Sequence, residues 1–159
     1  MLKAPPRPTR CARGPAVTDR KGLEVLDEPT CLALLSGSPI GRVAYIFAGI
    51  VRLVPVNIAV RDSAVLFRVG TGVLLAAITD GQLLTLEADH IDADRCDSWS
   101  VIVTGSARET ARRPDQSSLA VCSWLRPDAA RLVRLTPLEI SGRRLPGSWT
   151  TQEPTRLGS

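Results

Sequence analysis

Two turns of minimal length constrain this chain more than any other feature in it. Ala48-Gly49 separates the apolar run Ile40–Phe47 from Ile50–Val60, and Arg61-Asp62-Ser63 separates that run from Ala64–Val69. Strands joined this closely pair with their sequence neighbours and run antiparallel, so the sheet begins as a meander. The middle run adds a second constraint. Val54, Val56 and Ile58 fall on one face and Leu53, Pro55 and Ala59 on the other, so both alternating sets are largely apolar. A strand with one wet face alternates with polar residues. Both faces are therefore expected to be covered, one by a barrel interior and the other by a helix, a second subunit or a ligand.

The same reading extends along the chain. Asp27 is placed to cap a short helix over Glu28–Leu35, with Pro29 tolerated in its first turn, and Ser36-Gly37-Ser38-Pro39 ends it. Gly70-Thr71-Gly72 opens into a helix from Val73 to Thr79, stopped by Asp80-Gly81. Leu83–Ile91 reads as a strand with Leu84, Leu86 and Ala88 on one face. Asp89, Asp92, Asp94 and Asp97 are expected in a polar loop, with His90 exposed among them. Trp99–Thr110 reads as a long strand in which Gly105 marks a bulge or bend. Pro114–Leu125 is expected to be helical, and Arg131–Leu145 closes as strand. The fold class is mainly β: a six-stranded antiparallel barrel with a few short flanking helices.

At 159 residues with 44% hydrophobic content the chain has enough material for one domain with a real core. Its net charge of +4 is unevenly placed. Residues 1–21 hold six basic side chains against Asp19, and the remainder is close to neutral. We expect 1–21 to be a disordered, basic, Pro/Arg-rich tail, 22–146 the folded domain and 147–159 a flexible C-terminal tail. No aromatic residue interleaves the tail's charges, so a solvated tail is favoured over a nucleic-acid arm. No apolar run approaches the roughly 20 residues that span a bilayer, and none follows the N-terminal arginines as in a secretory signal. A cytoplasmic protein with no membrane segment is expected. Cys11, Cys31, Cys96 and Cys122 form no CxxC pair, and His90 is the only histidine, which argues against zinc and against a Cys/His nucleophile.

One block carries chemistry. Two strand-like runs, a Gly-rich turn and a helix start lie between Val54 and Ala77, with Arg68 at the strand end. Backbone N–H groups at such a corner attract phosphate, and an arginine adds a charged partner. Arg68 could equally pair with a surface carboxylate, and the glycines could serve only the turn. Asn57, polar within an apolar strand, needs a partner that is either backbone or ligand.

The ordered series Ile40-Gly41-Arg42-Val43-Ala44, Val54-Pro55-Val56-Asn57, Leu66-Phe67-Arg68, the Gly/Thr turn, Trp99-Ser100-Val101 with Gly105 and Ala107, and Ile140-Ser141-Gly142-Arg143-Arg144 resembles a known family. It is that of the split-barrel flavin-binding proteins related to pyridoxamine 5′-phosphate oxidase, in particular small actinobacterial-type members. The resemblance covers roughly residues 24–145. It implies a split barrel that dimerises, with two flavin sites at the subunit interface. It implies further that Pro55, Val56 and Asn57 lie against the flavin ring, and that Phe67, Arg68, Val69, Thr71 and Gly72 approach the ribityl chain and phosphate. Trp99 and Ser100 would reach the ring from across the interface, although Trp99 could also be plain interface core.

The chain departs from the family pattern at two places. Val69 stands where relatives carry a threonine, and Leu74 where they carry a lysine; Lys3 and Lys21 are the only lysines present. A charge-assisted contact is worth about 1.5–3 kcal/mol, so losing one weakens binding roughly ten- to hundredfold. The expected function is an FMN-binding split barrel acting as a flavin-dependent oxidoreductase on a small molecule. The alternative is a barrel without cofactor that serves as an interaction or structural module. A deazaflavin or haem in the same groove ranks below FMN. No residue stands out as acid, base or nucleophile, and no His/Arg cluster offers a pocket for a second phosphate, so redox chemistry would belong to the flavin.

Overall fold

The computed structural model describes residues 17–92, 97–110 and 130–145. The expected helix at Pro114–Leu125, residues 1–16, the C-terminal tail, Asp94 and Cys11, Cys96 and Cys122 lie outside them. The elements are β1 (Glu24–Leu26), α1 (Glu28–Ser36), β2 (Ile40–Phe47), β3 (Ile50–Arg61), β4 (Ala64–Val69), α2 (Val73–Thr79), β5 (Leu83–Asp92), β6 (Asp97–Glu109) and β7 (Arg131–Leu145). The Asp27 carboxylate accepts the Thr30 N–H at 3.0 Å and caps α1, whose Cys31 and Leu35 face the core. Both short turns form as the spacing predicts. Ala48, Gly49, Asp62 and Ser63 all have φ between 49° and 75°, the left-handed pair that joins twisted strands in two residues.

Every pairing is antiparallel, and six strands close a ring in the order β7-β4-β3-β2-β5-β6, with β6 returning to β7. This is the expected six-stranded barrel. The sequence reading did not anticipate β1, a three-residue strand added to β7 opposite residues 142–144. It is reached through a turn in what was expected to be tail. The Asp19 carboxylate accepts the N–H groups of Lys21 and Leu23 at 2.9 and 3.1 Å, and Arg143 donates to it at 3.2 Å. Two seams in the ring are short: β3 pairs with β4 only over Ile58–Arg61, and β2 with β5 only over Arg42–Ala44.

Val43, Val65, Leu84, Leu86, Val101, Val103, Val133 and Leu135 are fully buried in the barrel, and no polar residue among those described is buried with them. Two helices close on it, α1 against β3 and β7 and α2 against β2 and β6. The ladder slips between Thr104 and Gly105, the expected bulge, and there the backbone of β7 lies so close that a Cβ at 105 would collide with the Thr136 carbonyl. The acidic loop is corrected. Asp89 and Asp92 belong to β5 and Asp97 opens β6, because the two strands stay paired to the register Asp92↔Asp97. His90 is therefore a strand residue opposite Trp99, though exposed as expected.

Within the single chain the outward face of β3 is open at residues 50–53. Val51 is 69% and Leu53 62% exposed, and Ile46, Phe47 and Ile50 beside them on the same hairpin are exposed too, which leaves a second subunit or a ligand as the expected cover there.

Two tests follow from this packing. Gly105→Ala should lower stability by about 2–3 kcal/mol, read from the denaturation midpoint, since the contact is with backbone and cannot rotate away. The Asp19 carboxyl is pushed up by partial burial, but the Leu23 and Lys21 N–H groups and Arg143 outweigh this and hold it below its ordinary 3.8. A depressed pKa means a contribution complete above that ordinary value and lost as pH falls through the lower folded one. The Lys21 and Leu23 amide signals should therefore report an acid step in NMR spectra that Asp19→Asn abolishes.

Candidate functional site

The shortness of the β3–β4 seam creates the site. At Val69 the chain leaves the sheet through Gly70-Thr71-Gly72 and enters α2, while β3 continues back to Ile50 paired only with β2. Between the two lies a groove of about 420 Å³, within the range of about 300–1,000 Å³ usual for small-molecule sites. Its floor is Val54–Asn57, its wall Arg68–Leu74, and Tyr45 stands on its third side. The backbone of residues 54–57 has no strand partner on this edge among the described residues, so its polar groups remain available.

Among the described residues Arg68 is the only charged one lining the groove. It is half-buried and makes no ion pair or hydrogen bond among the described residues, which removes the surface-carboxylate reading within that set. Asn57 and Thr71 likewise have no side-chain partner there. Gly72 supplies no side-chain cap to α2, but that helix is only seven residues long. The local anion attraction therefore rests mainly on the guanidinium.

Seven of the ten expected cofactor residues line this one groove: Pro55, Val56, Asn57, Arg68, Val69, Thr71 and Gly72. Phe67 does not; its side chain is 1% exposed and lies in the core, so only its backbone is near the site. Trp99 and Ser100 lie elsewhere in the same chain, Trp99 lining a second groove beside α1. Val69 and Leu74 line the site and are also buried in the hydrophobic core. The sequence reading missed Tyr45 as a site residue. Its inward parity with Val43 was legible, but not that it stands at the barrel rim. Cys31 is buried with its sulfur beside the Leu26 carbonyl of β1 and Gly142 of β7, and burial together with Asp27 pushes its thiol pKa up, so it is a packing residue. Among the described residues no cluster of side chains could hold a metal ion, and no helix is long and apolar enough to cross a membrane.

A six-stranded ring with short seams and a groove at the end of one seam defines the split-barrel class. The sequence profile of the pyridoxamine 5′-phosphate oxidase family matches residues 27–144, and the chain belongs to that family. It is 30% identical over 128 residues to the uncharacterized protein Rv0080 of Mycobacterium tuberculosis, covering 76% of this chain and 84% of that one. Among solved structures it is similar to an FAD-binding protein from Mycobacterium smegmatis, at 29% identity and TM-score 0.60, covering 78% and 99% of the two chains. A candidate pyridoxamine 5′-phosphate oxidase from Corynebacterium glutamicum superimposes at TM-score 0.63 with 25% identity, covering 77% and 93%.

If Arg68 serves a ligand and not the fold, its removal should be nearly silent for stability. Arg68→Gln should leave the unfolding free energy within about 0.5 kcal/mol of wild type by denaturant titration.

Proposed function

We propose that this chain binds a flavin in the groove between β3 and the Gly70–Gly72 turn, as a homodimer, with FMN the form that the groove holds. The observation that carries the reading is Arg68, a guanidinium with no partner among the described residues, at the rim of a mostly apolar groove. A flavin has the matching parts. Its ring is planar and suits the apolar strand Val54–Asn57, with unpaired backbone groups available to the ring's polar edge. Its phosphate suits Arg68, with the Thr71 hydroxyl beside it. The flavin-related names of the similar proteins support the same choice at the level of the cofactor class.

When bound, a flavin supplies electron transfer to or from a small molecule, which makes a flavin-dependent oxidoreductase the activity we propose. The residues of this chain would bind and orient: the strand fixes the ring plane, Arg68 and the turn fix the phosphate end, and Tyr45 closes the side. The exposed apolar hairpin of β2 and β3 supports dimerisation, since a contiguous apolar surface of this kind marks an interface. In the dimer we assign Trp99 and Ser100 to the partner's groove. A cytoplasmic setting, in which Cys31 stays a thiol, completes the reading.

Titration with FMN and with FAD, followed by the visible absorption of the bound ring, is the test. Saturable binding is expected, tighter for FMN, and Arg68→Gln should weaken it about tenfold or more. Leu74→Lys should strengthen it roughly ten- to hundredfold, with circular dichroism used to check that the barrel survives. A lysine there can extend its amine to the rim while its stem stays in the core. No saturable binding by either flavin, or affinity indifferent to Arg68, would leave the cofactor-free interaction module as the better reading; tighter FAD binding would move the cofactor from FMN to FAD. In ultracentrifugation Leu53→Asp should shift the protein from dimer to monomer, and an unchanged mass would remove the hairpin from the interface.

A further inference from the structure

A second groove, of about 470 Å³, lies between the end of α1 and the outer ends of β2, β5 and β6. Its chemistry is unlike that of the first. Leu34, Pro39 and Ile40 give it apolar walls, and its far side is a pair of aromatic rings: His90 and Trp99 stack with centroids 6.3 Å apart and planes 29° from parallel. Neither nitrogen of the imidazole has a partner among the described residues. Arg42 and Asp89 form the polar rim, and Glu87, outside the lining, completes an ion triplet with them. Arg42 Nη1 donates to Glu87 Oε2 at 3.1 Å and to Asp89 Oδ1 at 2.7 Å. Asp89 and Glu87 together hold the guanidinium pKa above its ordinary value.

Two carboxylates around one guanidinium leave a surplus of one negative charge. No lysine or second arginine lines the groove among the described residues. A phosphate brought here would meet like charge and find the nearby arginine already engaged, while a cation would be attracted. The stacked rings add a flat surface with π faces, which favours a planar and cationic partner.

We propose that this groove binds a planar, non-phosphorylated ring bearing a positive charge, and that such rings are the substrate class of the protein. The second half of this statement rests on the dimeric flavin reading, in which Trp99 faces the partner's groove; the binding itself does not. The substrate preference would thus depart from the phosphate ester in the family's name.

The probe pair is pyridoxamine and pyridoxamine 5′-phosphate, which share a ring and an amine and differ in the phosphate. Quenching of tryptophan fluorescence is followed on the full chain without flavin. Pyridoxamine should bind at least about tenfold more tightly than its phosphate ester. Trp99→Leu should abolish the quenching, and Asp89→Asn and Glu87→Gln should each narrow the gap between the two probes, the second guarding against a folding defect in the first. Equal or tighter binding of the phosphate ester, a gap unmoved by both acidic variants, or no saturable quenching overturns the proposal. Flavin binding is read separately in the visible band. Loss of that signal with Trp99-dependent quenching intact would remove the flavin reading and the substrate role while leaving the ring site; a flavin signal without quenching would do the opposite.

Discussion

The seam between β3 and β4 governs this molecule. Four residue pairs join the two strands, against eight between β3 and β2. The chain leaves β4 at Val69 because Gly70 and Gly72 allow a course that does not continue the ladder, and because Val73–Thr79 has a better use for its apolar residues as a helix against the barrel. The two strands have already parted after Ile58↔Phe67, since Arg68 and Val69 stay paired to β7 but not to β3, so no described strand pairs the free edge of Val54–Asn57. The backbone of those residues faces a cavity, and the same strand's outer half extends beyond the barrel with its apolar residues exposed. One local break thus yields both the candidate site and the candidate interface.

Charge placement then divides the surface into two kinds of cavity. Among the described residues Arg68 stands alone in the first groove, so no described neighbour offsets its field toward an anion. Arg42 in the second is held by two carboxylates, Asp89 in the lining and Glu87 outside it, and the triplet carries the opposite sign. The partly exposed pairs of the second groove contribute little to stability. Their effect is on what can approach, since like charge at a cavity mouth disfavours a ligand and so contributes to discrimination.

Most of the framework was legible in the sequence because it depends on local rules. Two-residue turns fixed the β2–β3–β4 meander, the Asp27 cap fixed the start of α1, and Gly105 marked the bulge that Thr136 requires. The resemblance added the order of the site motifs, and seven of its ten residues meet in one groove. What escaped were properties set by distant parts of the chain. The run of aspartates from 89 to 97 has the composition of a loop, yet Glu87 and Asp89 face outward on β5, where Arg42 from another strand can meet them. Period-two alternation could not separate a covered apolar face from an uncovered one, so the exposure of Leu53 appears only once its neighbours are known. β1 is three residues long and held by Asp19 and Arg143, a contact spanning 124 positions.

Val69 and Leu74 are better understood as a packing choice than as a simple loss. Both side chains line the groove and both are buried in the core, with Leu74 joined by Ala77 and Ile78 on the inner face of α2. Burying a leucine contributes about 1.5–3 kcal/mol, the same size as the charge-assisted phosphate contact that a lysine would make. A seven-residue helix cannot stand without tertiary packing, so its inner face has to be apolar. The chain has placed that free energy in the barrel at the position where the family resemblance implies a lysine directed at a ligand. In the proposed reading an anion would meet one arginine and the backbone, and selectivity would come from shape and from the apolar strand more than from charge.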